Sequence, residues 1–190
     1  MDTVEAGRES KIDAINQIFS LFRINYHNQF YAAFPDGEQL NSAKKLWLSA
    51  LELFSESSIK AAAEALVLNS EYLPTLSKFV TQCDQIEFSL PAAHVAYIEA
   101  CHATATSREQ WSHAIVYQAG KACGWHELKS RPESVMWPVF EGHYQRLCGE
   151  IRAGKTLELP QQTTKQIESD PKVLSPTEAK ARLEEIRALI

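Results

Sequence analysis

Large apolar residues recur at intervals of three and four along most of the chain, and that spacing suits only one regular backbone. Ile12, Ile15, Phe19, Phe22, Tyr26 and Phe30 place a stripe on one side of a single long helix running from Ile12 to Ala33. Pro35-Asp36-Gly37 stops it. A second stripe of Leu40, Ala43, Leu46, Trp47, Ala50, Leu51 and Phe54 predicts another helix, and a third is expected over residues 58–68. Tyr72-Leu73-Pro74-Thr75 breaks the chain and leaves Thr75 as the N-cap of a short helix bearing Leu76, Phe79, Val80 and Cys83. Helices joined this closely pack as a small bundle. The chain has 7 glycines in 190 residues and few alternating β-branched runs, so an all-α fold is expected.

A second helical group follows. Pro91 opens a helix with Val95, Ile98 and Cys101, and Ser107-Arg108-Glu109-Gln110 has the spacing of a capping box ahead of Trp111, Ile115, Val116 and Ala119. Gly124 and Pro132 bracket a turn. Pro138 suits the first position of a helix carrying Phe140, Tyr144, Leu147, Cys148 and Ile151. Residues 157–174, LELPQQTTKQIESDPKVL, are polar and lack apolar period, as a linker does. Ser175, Pro176 and Glu178 then fit an N-cap, a first-turn proline and an N3 glutamate opening a helix that reaches Ile190. The expected organisation is an N-terminal bundle over 1–87, a second helical group over 88–156, a linker over 157–174 and a terminal helix over 175–190.

One motif points elsewhere. Residues Gly149 to Thr156 read G-x-x-x-x-G-K-T, the letters of a phosphate-binding loop. That loop needs a buried strand before it and a helix beginning in it, with the helix N-terminus facing the phosphates. Here the apolar spacing upstream is helical, and Pro160 argues against a helix continuing downstream. Gly154 therefore reads as a helix-ending glycine, with Lys155 near the negative end of the dipole and Leu157 folding back on the last turn. No nucleotide cofactor and no catalytic residue is expected.

A formal charge of −5 argues against binding duplex DNA by phosphate neutralisation alone. Arg23, Lys44 and Lys45 are candidates for weak contact with single-stranded DNA, against the plainer reading of a solvated face. Trp47, Trp111, Trp125 and Trp137 have the chemistry of base-stacking platforms, but tryptophan on an apolar stripe is more often core. No segment has the length and apolar character of a membrane span or signal peptide, so a cytoplasmic protein of a bacterial or phage-infected cell is expected. Cys83, Cys101, Cys123 and Cys148 include no Cys-x-x-Cys pair and are read as unpaired thiols. Their closeness to His102, His126 and His143 raises a zinc or thiol enzyme as an alternative, without knuckle spacing or an identifiable third catalytic group; no metal site is expected.

The terminal segment is amphipathic. Ala179, Leu183, Ile186 and Ile190 share one face, while Lys180, Arg182, Glu184, Glu185 and Arg187 take the other. The stripe either packs on the chain's own core or enters a partner's groove.

Several segments, in this order, resemble the replication protein P family of phage helicase loaders. They begin with Ile15-Asn16-Gln17-Ile18-Phe19-Ser20, Phe34-Pro35 and Lys45-Leu46-Trp47-Leu48-Ser49-Ala50-Leu51. Leu73-Pro74-Thr75-Leu76-Ser77-Lys78-Phe79-Val80-Thr81-Gln82-Cys83 follows, then His143-Tyr144-Gln145-Arg146-Leu147 and Ile151-Arg152-Ala153-Gly154. The last is Leu174-Ser175-Pro176-Thr177-Glu178-Ala179-Lys180-Ala181. The resemblance implies a replication initiation protein without a nucleotide site, which binds the hexameric replicative helicase and opens its ring for loading onto single-stranded DNA. With the polar tether, it favours a helicase groove for the terminal helix, the contacts being Ser175, Pro176, Ala179, Leu183, Ile186, Arg187, Leu189 and Ile190. The best-known member of the family carries an extra N-terminal stretch associated with contacting an initiator, whereas this chain starts close to the core, so the initiator partner stays open. A generic helical adaptor without loading activity is the alternative.

Overall fold

The computed structural model describes residues 2–102 and 111–159, and among these every regular element is a helix. The first group comprises α1 (Asp2–Asn25), α2 (His27–Ala33), α3 (Gly37–Ala50), α4 (Glu56–Asn69) and α5 (Leu76–Phe88). The second comprises α6 (Ala93–His102), α7 (Ala114–Cys123), α8 (Trp125–Ser130) and α9 (Glu133–Arg152). Both groups lie in one compact unit covering Met1–Pro160. The expected linker and terminal helix fall almost entirely outside the described residues, as does the expected capping box at residues 107–110.

Thr75 caps its helix as expected from the sequence, and Asp36 and Ser55 are further side-chain caps. Asp36 Oδ1 accepts the Gln39 amide at 2.8 Å to start α3, and Thr75 Oγ1 accepts the Lys78 amide at 3.2 Å to start α5. At the head of α4, Ser55 Oγ accepts the Ser58 amide at 3.2 Å. Glu87 reaches across from α5 to accept both the Ser55 amide at 3.0 Å and the Ser55 hydroxyl at 2.7 Å. A cap that draws on another helix fixes tertiary placement as well as helix length.

The first core is aromatic. Trp47 lies edge-on to Phe19 and Phe22, with ring centroids 5.2 and 5.9 Å away, and 5.0 Å from Phe79. Phe22, Phe54 and Phe79 are wholly enclosed, and Cys83 completes the buried side of α5. The second core gathers Ile115, Val116 and Ala119 of α7 with Met136, Phe140, Tyr144, Leu147 and Cys148 of α9. Tyr97 of α6 meets Phe140 at 5.4 Å and Trp137 at 5.6 Å.

Several expectations are corrected. The long first helix is two helices interrupted at Tyr26, whose buried phenol bonds the carbonyls of Leu66 at 3.2 Å and Ser70 at 3.1 Å. Anchoring that hydroxyl to the end of α4 fixes the break. Leu46, Val95 and Ile98 sit on their stripes in sequence but are 61, 57 and 44% exposed, because Trp47 in α3 and Ala96, Tyr97 and Ala100 in α6 occupy the packed sides. Trp111 precedes its helix instead of lying in it, since α7 starts at Ala114 with His113 as N-cap: the His113 Nδ1 accepts the Ile115 amide at 3.1 Å. The turn expected between Gly124 and Pro132 contains α8.

Pro138 lies inside α9 instead of at its start. An interior proline removes one helical bond and costs about 3 kcal/mol. Here burial of Met136 and Trp137 holds the preceding turn, Trp137 against Tyr97 and against His94 at 5.2 Å, and His94 meets Glu133 at 3.1 Å.

Two substitutions test this packing. Trp47→Ala should destabilise the protein by about 3–5 kcal/mol in chemical denaturation, as a large-to-small core change. Gly120→Ala should cost about 1–3 kcal/mol and alter tryptophan emission, because its new methyl would stand 2.6 Å from the Trp125 ring and 3.3 Å from Ala100.

Candidate interaction site

The phosphate-loop letters fold as a helix terminus. The Gly154 amide bonds the Ile151 carbonyl at 2.8 Å and the Lys155 amide bonds the Glu150 carbonyl at 3.0 Å, with Gly154 at φ 89°. This double bond pattern around a left-handed residue is a Schellman cap. It leaves carbonyls, not amides, as the groups the turn must satisfy, so the loop offers a phosphate no amide cradle. Lys155 Nζ bonds Glu150 at 2.6 Å, and Leu157 packs back onto the second core. Glu158 is held alongside, its carbonyl accepting from Gln118 Nε2 at 2.7 Å. The first residues of the expected linker are therefore laid along α7.

Three of the thiols are held in the neutral form. Burial, reinforced by the neighbouring Asp84 charge, pushes both Cys83 and Cys148 up to about 12. Burial and the proximity of Cys101 push Cys123 up to about 11. A nucleophilic cysteine requires a shift in the opposite direction. Among the described residues, no group of three or more His, Cys, Asp or Glu side chains converges as a metal-binding set. No described helix is long and apolar enough to cross a membrane.

The candidate DNA contacts are dispersed in character. Arg23 is exposed in the last turn of α1, and Lys45 is exposed on α3. Lys44 is half-buried; its ammonium bonds Asn16 Oδ1 at 2.9 Å and stands 5.8 Å from the Phe19 ring centroid. It is a packing contact between α3 and α1 as much as a free cation. Of the tryptophans, Trp47 is core, and Trp137 is half-buried against α6. Trp111, Trp125 and Tyr117 form a half-buried trio with centroids 5.4 to 5.7 Å apart. The candidate partner-binding residues Ser175, Pro176, Ala179, Leu183, Ile186, Arg187, Leu189 and Ile190 lie outside the described residues.

One polar residue escaped the sequence reading. Asp84 looks like an ordinary helix-surface aspartate beside Gln85, yet it is 5% exposed and faces Arg152 of α9 across the seam between the two groups. Burial pushes its carboxyl up to about 6, the Arg152 charge opposing the shift. The apolar stripe of α5 carries no signal that another helix covers its flank.

Searches of curated proteins and of solved structures return no match. The family model for replication protein P, the lambda P type of phage replication protein, matches residues 13–160, most of the chain and nearly all of the described part. The chain therefore belongs to the replication protein P family.

Proposed function

We propose that the protein is a loader for the hexameric replicative helicase, binding the ring and favouring its open form for entry of single-stranded DNA without hydrolysing ATP. Membership of the replication protein P family over residues 13–160 is the observation that carries this reading. The helix-end geometry of the G-x-x-x-x-G-K-T segment supports it, since a loader of this kind has no need of a phosphate cradle. Opening a ring requires a ligand that binds the open form more tightly, because equal affinity for both forms shifts nothing. In this reading the helicase contact is the terminal segment, with Leu183, Ile186, Leu189 and Ile190 entering an apolar groove and Ser175 and Pro176 starting the helix. The tether begins after Leu159, since Leu157 and Glu158 are engaged with α7. Single-stranded DNA makes at most weak contact, with Arg23 and Lys45 the better placed cations. The family match ends before the terminal segment, so the hook is argued from its own amphipathic pattern and its tether.

Truncation after Gln162 tests the hook. The shortened protein should keep the helical content and melting temperature of the body while losing most of its affinity for the helicase. Leu183→Asp combined with Ile186→Asp should have the same effect, because unpartnered carboxylates are costly in an apolar groove. A peptide of residues 175–190, too short for a stable helix in water, should gain helicity on adding helicase. A truncated protein that loads as well as the full chain would overturn the assignment.

Nucleotide provides a second check. Adding ATP should leave the melting temperature unchanged, and Lys155→Ala should leave loading unchanged in a reconstituted assay. A thermal stabilisation by ATP that disappears with Lys155→Ala would contradict the reading of this turn.

A further inference from the structure

The chain passes from the first helical group to the second between α5 and α6, and several unusual features meet there. Phe88 ends α5, packs against Phe54 with centroids 6.0 Å apart, and belongs to the margin of both apolar cores. Ser89 follows at φ 54° and ψ 33°, the single non-glycine residue with positive φ among the described residues. A side chain disfavours that backbone. The amides of Ser89 and Leu90 both point at the Asp84 carbonyl, the second at 3.5 Å. From α9, the Tyr144 hydroxyl donates to the Pro91 carbonyl.

The Asp84 side chain faces the same seam. Its Oδ1 lies 3.2 Å from Arg152 Nε, but that N–H is directed at the Cys148 carbonyl, 3.3 Å away. Oδ1 accordingly accepts no hydrogen bond from the described residues. A carboxylate with one oxygen buried and undonated is poorly solvated, so its ionised form is disfavoured where the seam is closed. A cavity of about 20 Å³ beside it, lined by Thr81, Gln85, Pro91, Tyr144 and Cys148, is about the size of one water molecule.

The other groups around it do not share its titration range. Burial pushes the Cys83 and Cys148 thiols up to about 12 and raises the Tyr144 phenol further, so all three stay neutral near pH 7. Arg152 supplies the facing positive charge. Glu87, on the same helix, is lowered: burial works against this, and its bonds to Ser58 and Ser55 outweigh it. Asp84, pushed up to about 6, changes charge between pH 5 and 7.5. His113 lines a neighbouring pocket with Phe88 and Ile151, and burial lowers it, so its protonation in acid would loosen the seam, opposite in sign to Asp84.

We propose that residues 84–91 and Arg152 form a joint between the two helical groups, closed when Asp84 is protonated and loosened when it ionises. The sign follows from linkage. The closed joint holds the proton more tightly than an opened, hydrated one, so closure is strongest in acid and weakens as pH rises through the closed-state value. At neutral pH the joint is therefore weaker than in acid, and a partner that grips both groups can move one against the other at reduced cost. This holds independently of which partner that is.

Hydrogen exchange of the full chain, corrected for the intrinsic pH dependence of exchange, reads the joint directly. The opening constant of the Ser89 and Leu90 amides and of amides in the last turn of α9 should rise about tenfold between pH 5 and 7.5. Amides in the middle of α1 and α4 should not follow. Asp84→Asn should remove the rise. Arg152→Gln, which keeps a polar group toward Cys148, should shift the loosening to higher pH, and it preserves the test should Asp84→Asn fail to fold. A flat profile in the unmodified protein, an unchanged rise in Asp84→Asn, or an equal rise throughout α1 and α4 would each overturn the joint.

Discussion

The packing of α5 against α9 joins the two described helical groups into one compact unit. Each helical group closes its own apolar core, the first around Trp47, Phe22 and Phe79, the second around Phe140, Val116 and Ile115. α5 supplies Phe79 and Cys83 to the first core and turns its other flank, with Asp84 and the end residue Phe88, toward the second. Fully burying a large apolar side chain contributes roughly 1.5–3 kcal/mol, so both cores draw on the same short helix. Placing a carboxylate on the shared flank offsets part of that gain. The seam is thus weaker than either core it joins.

Where a helix end is set by local chemistry it was legible. Thr75 and Gly154 act as their residue types dictate, because caps depend on a few adjacent backbone groups and little else. The phosphate-loop letters are resolved by the same logic: one glycine in a left-handed turn fixes which backbone groups are left over. What sequence spacing could not supply was the partner of each face. Tyr26 breaks the first helix because its hydroxyl finds two carbonyls on α4, forty and more residues away. Pro138 survives inside α9 because Met136 and Trp137 are anchored by another helix. Leu46, Val95 and Ile98 follow helical period yet face outward, since a stripe wider than the available groove must leave one edge in water.

The candidate site divides the same way. The helix cap that removes the nucleotide reading could be read from eight letters with the helical spacing before them, and two hydrogen bonds bear it out. The basic residues could not be ranked from sequence, because only packing distinguishes Lys44, tied to Asn16, from the exposed Arg23 and Lys45. Asp84 was invisible, since a buried aspartate and a solvated one have the same neighbours in sequence. The terminal hook rests on its amphipathic pattern and tether, apart from the family match.

The end of α9 connects these features. Arg152 meets Asp84 in the last helical turn, and Gly154, two residues on, reverses the chain so that Leu157 and Glu158 run back along α7. Tension reaching α9 from beyond Leu159 would meet Leu157 and the Gln118 contact first, then the Schellman cap, and then the pairing of Arg152 with Asp84. These contacts follow one another along the chain, so the turn and the seam are in series, and a pull on the end of α9 is also a pull on the joint proposed between the two groups.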